Sequence, residues 1–111
     1  MKIEAQYYND VAVVELKGEL DMDMAEPFKQ CIYEVVTKAH VGVVVDMTEV
    51  TFVDSVGLEQ LLWARDYCQD NNRQLRLAGL GWNLKTILEV TRLKGEFEEY
   101  EELSKAVKSF V

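Results

Sequence analysis

The chain has 111 residues, of which 49% are hydrophobic and 29% charged, the size of one domain (1–111) and the balance of a globular protein rather than a disordered or collagen-like one. Twelve Lys and Arg stand against 20 Asp and Glu, a net charge of −8 at pH 7, so the cationic footprint that nucleic acid or an anionic membrane requires is missing and a basic protein partner is favoured. The longest apolar runs, Val11 to Val14 and Val41 to Val45, fall far short of the ~20 residues that span a bilayer, and Met1-Lys2-Ile3-Glu4 lacks the apolar stretch of a signal peptide, so a cytoplasmic location is expected.

Residues 3–8 and 11–17 alternate as strands across Asn9-Asp10, which predicts an opening β-hairpin. Gly18 interrupts the second run, and Glu19-Leu20-Asp21 follows. A helix is predicted from Asp23, with Glu26 three residues later at capping-box spacing and Pro27 in the first turn, where its missing N–H is tolerated. Phe28, Cys31, Ile32, Val35 and Val36 repeat at intervals of 3 and 4, one apolar stripe that ends near His40 to Gly42. Val43-Val44-Val45 is a β-branched run ending at Asp46, the pattern of a central strand covered on both faces.

Met47 to Val53 is expected to be a connecting loop anchored by Phe52. Residues 55–70 form the second predicted helix, with Leu58, Leu61, Leu62, Arg65 and Cys68 along one side and Asn71-Asn72 ending it. Residues 73–78 alternate as a strand with Leu75 and Leu77 inward, and Gly79-Leu80-Gly81 is a turn. A third helix follows over 82–92 on Leu84, Ile87, Leu88 and Thr91; Phe97 marks a short last strand, and Leu103, Ala106, Val107 and Phe110 a closing helix. The resulting fold class is α/β: a mixed sheet of about five strands with an opening hairpin and about four helices. Its functional loops are expected after the strands, at the carboxyl ends of the parallel part.

The most informative stretch runs from Asp46 to Leu58, where a loop delivers Asp54-Ser55 to a helix start. Ser55 suits the N-cap position. Gly57 sits in the first turn, where glycine costs about 1 kcal/mol relative to alanine. Its bare backbone admits close approach either by the protein's own sheet or by a partner. If the partner is the one accommodated, Gly57→Leu is expected to harm binding more than folding.

These residues resemble the STAS domain of bacterial anti-sigma-factor antagonists. The resemblance rests on a β-branched strand ending in Asp46, then Phe52-Val53-Asp54-Ser55-Val56-Gly57-Leu58 opening a helix. It is extended by Gly18-Glu19-Leu20-Asp21, by Pro27 at a familiar distance, and by Leu75-Arg76-Leu77-Ala78-Gly79-Leu80. It implies a single STAS-like domain without enzymatic activity or cofactor. It also implies that Ser55 is phosphorylated by a partner anti-sigma factor that is a serine kinase, and that a metal-dependent serine phosphatase reverses this. The unphosphorylated form would bind the anti-sigma factor and release the sigma factor. Asp21, Asp54, Ser55, Val56, Gly57 and Leu58 would form the partner-binding surface. Val56 departs from the small residue usual after the phosphoacceptor. The alternative within the same fold is a non-switching adaptor subunit of a transporter or lipid-transport complex.

Other readings have less support. Asp21 and Asp23 are too few carboxylates to indicate a metal site, and helix capping suits Asp23 better. Thr48 and Thr51 are rival phosphoacceptors, though loop hydrogen bonding accounts for them. His40 has no second histidine or nucleophile beside it in a catalytic pattern. Cys31 and Cys68 form no Cys-x-x-Cys pair and are expected to be reduced, buried thiols rather than a disulfide or a metal site. Gly79-Leu80-Gly81 lacks a third glycine for dinucleotide binding. Trp82 is either a lid on the core or a partner contact, and Trp63 is expected to be partly exposed. The glutamates at 96, 98, 99, 101 and 102 read as a solvated face. A phosphoaspartate receiver built on Asp46 conflicts with the opening hairpin.

Overall fold

Asn9 adopts a left-handed φ of 57°, and the two-residue turn it shares with Asp10 sets β1 (Lys2–Tyr8) antiparallel to β2 (Val11–Leu20), in register from Tyr8 opposite Val11 to Lys2 opposite Lys17. In this computed structural model, which describes residues 2–110, the expected α/β architecture is present. β3 (Gly42–Val53), β4 (Gln74–Ala78) and β5 (Glu98–Tyr100) add in parallel, giving one five-stranded sheet in the order β1-β2-β3-β4-β5. The helices are α1 (Ala25–Lys38), α2 (Ser55–Asp70), α3 (Trp82–Val90) and α4 (Leu103–Lys108).

Strand alternation divides the interior in two. Ala12, Val14 and Leu16 of β2, Val43, Val45 and Met47 of β3, and Leu75 and Leu77 of β4 join Phe28, Ile32 and Val35 of α1, Leu61, Ala64 and Cys68 of α2, and Leu84 and Leu88 of α3 in the main core. On the opposite face Val11, Val13, Val44 and Ala78 pack with Ala106 of α4. The central Val43-Val44-Val45 run is fully buried, as a strand covered on both faces requires.

Several sequence expectations are corrected. Met47 to Val53 is the second half of β3, not a loop: Glu49 to Val53 pair with Lys17 to Leu20 of β2, with register shifts between Glu15 and Lys17 and between Gly18 and Glu19; the φ of Gly18 is 103°. The β-branched Val50, Thr51 and Val53 suit such an extension, so Asp46 lies inside the strand rather than at its end. Phe52 is 52% exposed and anchors nothing. The helix α1 starts two residues beyond Asp23, because a short 3-10 turn, Met22–Met24, intervenes. The inner side of α2 is Gly57, Gln60, Leu61, Ala64 and Cys68. Arg65 is only half-buried and binds Glu96 and Asp66. Glu98 is likewise taken up, by Arg76 at 2.6 Å, so the acidic run is not simply a solvated face.

Candidate functional site

The parallel strands β2, β3 and β4 finish at one end of the sheet, and each is followed there by a helical turn. The Asp21 turn, the start of α2 and the start of α3 are thereby brought to one pole, the usual position of sites in parallel sheets.

Ser55 is the first residue of α2 and is exposed. It is not the cap. Asp54, one residue earlier in extended backbone (φ −91°, ψ −176°), caps the helix, its Oδ1 accepting the Gly57 N–H at 2.7 Å. A carboxylate at N-cap satisfies an orphan amide and complements the helix dipole, so the Ser55 hydroxyl is spared that duty. The Asp54 N–H donates to the Leu20 carbonyl at 3.3 Å. Two of the four orphan N–H groups with which a helix begins are thus satisfied, leaving those of Ser55 and Val56 at the tip.

Gly57 is buried, and a Cβ there would collide with the Leu20 carbonyl oxygen and carbon. Its bare backbone therefore serves the protein's own β2–α2 packing, and Gly57 leaves the partner-binding surface. Gly57→Leu is therefore expected to destabilise the fold rather than to spare it. Asp54, Val56 and Leu58 are half-buried around Ser55.

Asp21 follows Leu20 directly, so it sits beside the start of α2. It is half-buried, and its Oδ1 accepts the Asp23 N–H at 3.1 Å. The capping role expected of Asp23 thus belongs to Asp21, because Asp23 has been drawn into the 3-10 turn. The first turn of α1 has no side-chain cap. Asp46 is buried, with Oδ1 accepting both the Thr48 N–H at 3.1 Å and the Thr48 hydroxyl at 2.6 Å. Both groups are occupied within the strand. Thr51 is exposed.

Sequence reading missed the groove next to this pole. It lies between the second half of β3 and α3, with a volume of about 470 Å³, and is lined by Val50, Thr51, Phe52, Trp82, Leu84 and Ile87 among others. Trp82 is 78% exposed and, with Met22 at 68% and Phe52 at 52%, puts three large apolar side chains in water at the end of the sheet that carries Ser55. Trp82 is thus no lid on the core. The clue in the sequence is an aromatic near each of two helix starts, Phe52 before α2 and Trp82 opening α3, which reading 47–53 as a loop hides.

Away from the pole, His40 is exposed just beyond α1. Cys31 and Cys68 are free thiols, Cys68 buried and Cys31 half-buried. Burial pushes the Cys68 thiol up to about 12 and raises that of Cys31 as well. Among the described residues no group of three or more His, Cys, Asp and Glu is placed to hold a metal ion, and no helix is long and apolar enough to cross a membrane.

Comparison with known proteins places this geometry in a family. The sequence profile of the STAS domain matches residues 2–108. The chain is 39% identical over 54 residues to the anti-sigma-F factor antagonist RsfB of Mycobacterium tuberculosis, a match spanning 49% of this chain and 44% of that protein, less than half of its length. The crystal structure of an anti-sigma factor antagonist from Mycobacterium paratuberculosis superimposes with a TM-score of 0.86 at 26% identity, covering 98% of this chain and 92% of that one. The phosphorylated form of the Bacillus cell fate determinant SpoIIAA shares the fold with a TM-score of 0.76 at 15% identity, over 99% and 100% of the two chains.

Proposed function

This chain belongs to the STAS domain family, and from that premise we propose that it is an anti-sigma-factor antagonist switched by phosphorylation of Ser55. The names of its similar proteins support the general role. The observation that carries the switch is the exposed Ser55 hydroxyl at the first position of α2, relieved of capping by Asp54.

The chemistry is consistent at each step. A phosphate on Ser55 would meet the remaining amides of Ser55 and Val56 and the positive end of the α2 dipole, so the fold need not change. It would add about −1.5 to −2 charges beside Asp54 and Asp21, on a chain already at −8. The change therefore acts on the docking surface. Asp21, Asp54 and Ser55 make the polar part of that surface, Val56 and Leu58 flank Ser55 on α2, and Met22, Phe52 and Trp82 supply apolar anchors of the kind that dominate binding energy. The partner is an anti-sigma factor with serine kinase activity, bound by the unphosphorylated form so that a sigma factor is released. A serine phosphatase resets the switch. The chain regulates transcription in the cytoplasm by binding, not by catalysis.

The test is phosphorylation by the anti-sigma kinase encoded in the same genome, with the product mapped by mass spectrometry. Phosphate on Ser55 alone is expected; phosphate on Thr48 or Thr51, or none, would overturn the assignment. Ser55→Ala is expected to keep partner affinity and Ser55→Asp to lose part of it, since one carboxylate carries about half a phosphate's charge. Equal affinities for the two variants by calorimetry would point to a non-switching adaptor instead.

A further inference from the structure

The strand β1 forms one edge of the sheet, and all but one of its seven residues are exposed. The tight turn at Asn9-Asp10 makes Tyr8 and Val11 the first hydrogen-bonded pair of the hairpin, and bonded and non-bonded pairs then alternate along an antiparallel ladder. Tyr8, Gln6 and Glu4 therefore spend their backbone groups on β2. The N–H and C=O groups of Ile3, Ala5 and Tyr7 point outward to the free edge.

The same three residues share a side-chain face. Ile3 packs partly on the main core, Tyr7 lies under Lys38 of α1, and Ile3 and Ala5 border an open surface groove with Met24, Pro27, Cys31 and Tyr33. An exposed strand of this length is a template for another strand, and its sequence matches itself. With a two-fold axis at Ala5, an antiparallel copy places Ile3 opposite Tyr7 and Ala5 opposite Ala5. All three resulting pairs are of the type that exchanges both backbone bonds, six hydrogen bonds in total by the alternation rule. On the other face Glu4 meets Gln6 and Lys2 meets Tyr8. Apolar residues face apolar ones, an acid faces an amide, a cation faces an aromatic ring, and no like charges are opposed.

We infer that β1 is a homodimerisation edge: two copies of this chain join through antiparallel β1 strands centred on Ala5, making one continuous ten-stranded sheet. This interface is self-complementary, as two-fold symmetry demands. It lies on the sheet's edge rather than on its Ser55 end, and the antiparallel pairing points the two Ser55 ends in opposite directions, leaving both open.

Sedimentation velocity over a dilution series up to about 1 mM tests this. A concentration-dependent dimer is expected, and amide hydrogen exchange should show concentration-dependent protection at Ile3, Ala5 and Tyr7 while Glu4 and Gln6 stay protected throughout. Gln6→Glu sets like charges opposite Glu4 twice per dimer, and Gln6→Lys sets opposite charges there. The first is expected to raise the dimer dissociation constant and the second to lower it, each by roughly 2- to 30-fold. Since both variants change the same exposed side chain, a mere effect on folding would not give opposite signs. Ala5→Pro, which removes an edge N–H that β2 does not use, is expected to give a folded monomer by circular dichroism and sedimentation. A monomer at every concentration would overturn the proposal, as would a dimer indifferent to both Gln6 variants.

Discussion

At the scale of single residues, Asp54, Gly57 and Leu20 form one joint. The Asp54 carboxylate holds the Gly57 amide, the Asp54 amide holds the Leu20 carbonyl, and the missing Gly57 side chain leaves room for that same carbonyl. Gly57→Leu is therefore expected to destabilise the fold by at least about 1–3 kcal/mol, the usual range for overpacking, despite leucine's better helix propensity. Thermal unfolding of the variant alone checks this; an unchanged Tm would show that the joint yields. The buried Cys68 supplies a second test. Its thiol, raised to about 12 by burial, holds its proton more tightly folded than unfolded. The associated stability is fully present below the ordinary thiol range and is lost as pH rises from there towards 12. The stability difference between the wild type and Cys68→Ala should accordingly shrink between about pH 9 and 11, measured by denaturant unfolding at each pH. A constant difference would mean that the thiolate is accommodated.

At the scale of elements, the short pieces β5 and α4 depend on Arg76. This buried residue of β4 donates from Nε to Glu98 of β5, from one terminal nitrogen to Ser109 beyond α4, and from the other to Gln74, each at 2.6 Å. Its guanidinium carbon lies 3.9 Å from the centroid of the Phe110 ring. The planar fork of arginine and its stacking surface are both used here. Arg76→Ala is expected to destabilise the protein by about 2–3 kcal/mol through lost packing and hydrogen bonds, with exchange protection lost first in β5 and α4. Glu98→Gln should cost under about 1 kcal/mol, because the Glu98 side chain is 62% exposed and exposed ion pairs contribute little. Equal losses from the two variants would show that charge rather than packing secures this end of the sheet.

At the scale of the whole molecule, the proposed docking would divide the work of recognition between net charge and exposed apolar side chains. A charge of −8 would steer a basic partner over a distance set by screening, about 10 Å at 0.1 M salt and 3 Å at 1 M. The apolar trio of Met22, Phe52 and Trp82 acts only on contact. Raising the salt concentration is therefore expected to lower the association rate with the proposed anti-sigma partner and to change the dissociation rate much less. Trp82→Ala should do the reverse, raising the dissociation rate by roughly 30-fold for a hot spot worth about 2 kcal/mol. Surface plasmon resonance at two salt concentrations separates these effects. An off-rate untouched by Trp82→Ala would remove the groove from the proposed docking surface.

The order of elements, the hairpin at Asn9-Asp10, the bounds of α2 and the Asp54-Ser55 segment were legible in the sequence, because each follows from periodicity or from turn and cap chemistry within a few residues. The tertiary structure decided the rest. Whether Gly57 makes room for Leu20 or for a partner depended on a contact between segments some 35 residues apart in sequence. The extension of β3 through Met47 to Val53 depended on pairing with β2 across the Gly18 irregularity, and strand pairing is a property of two segments together. The groove between β3 and α3 exists only once that extension is made. Local pattern fixes the order of the elements; how far a strand runs, and which side of an element meets protein and which meets water, is settled by the neighbour that arrives.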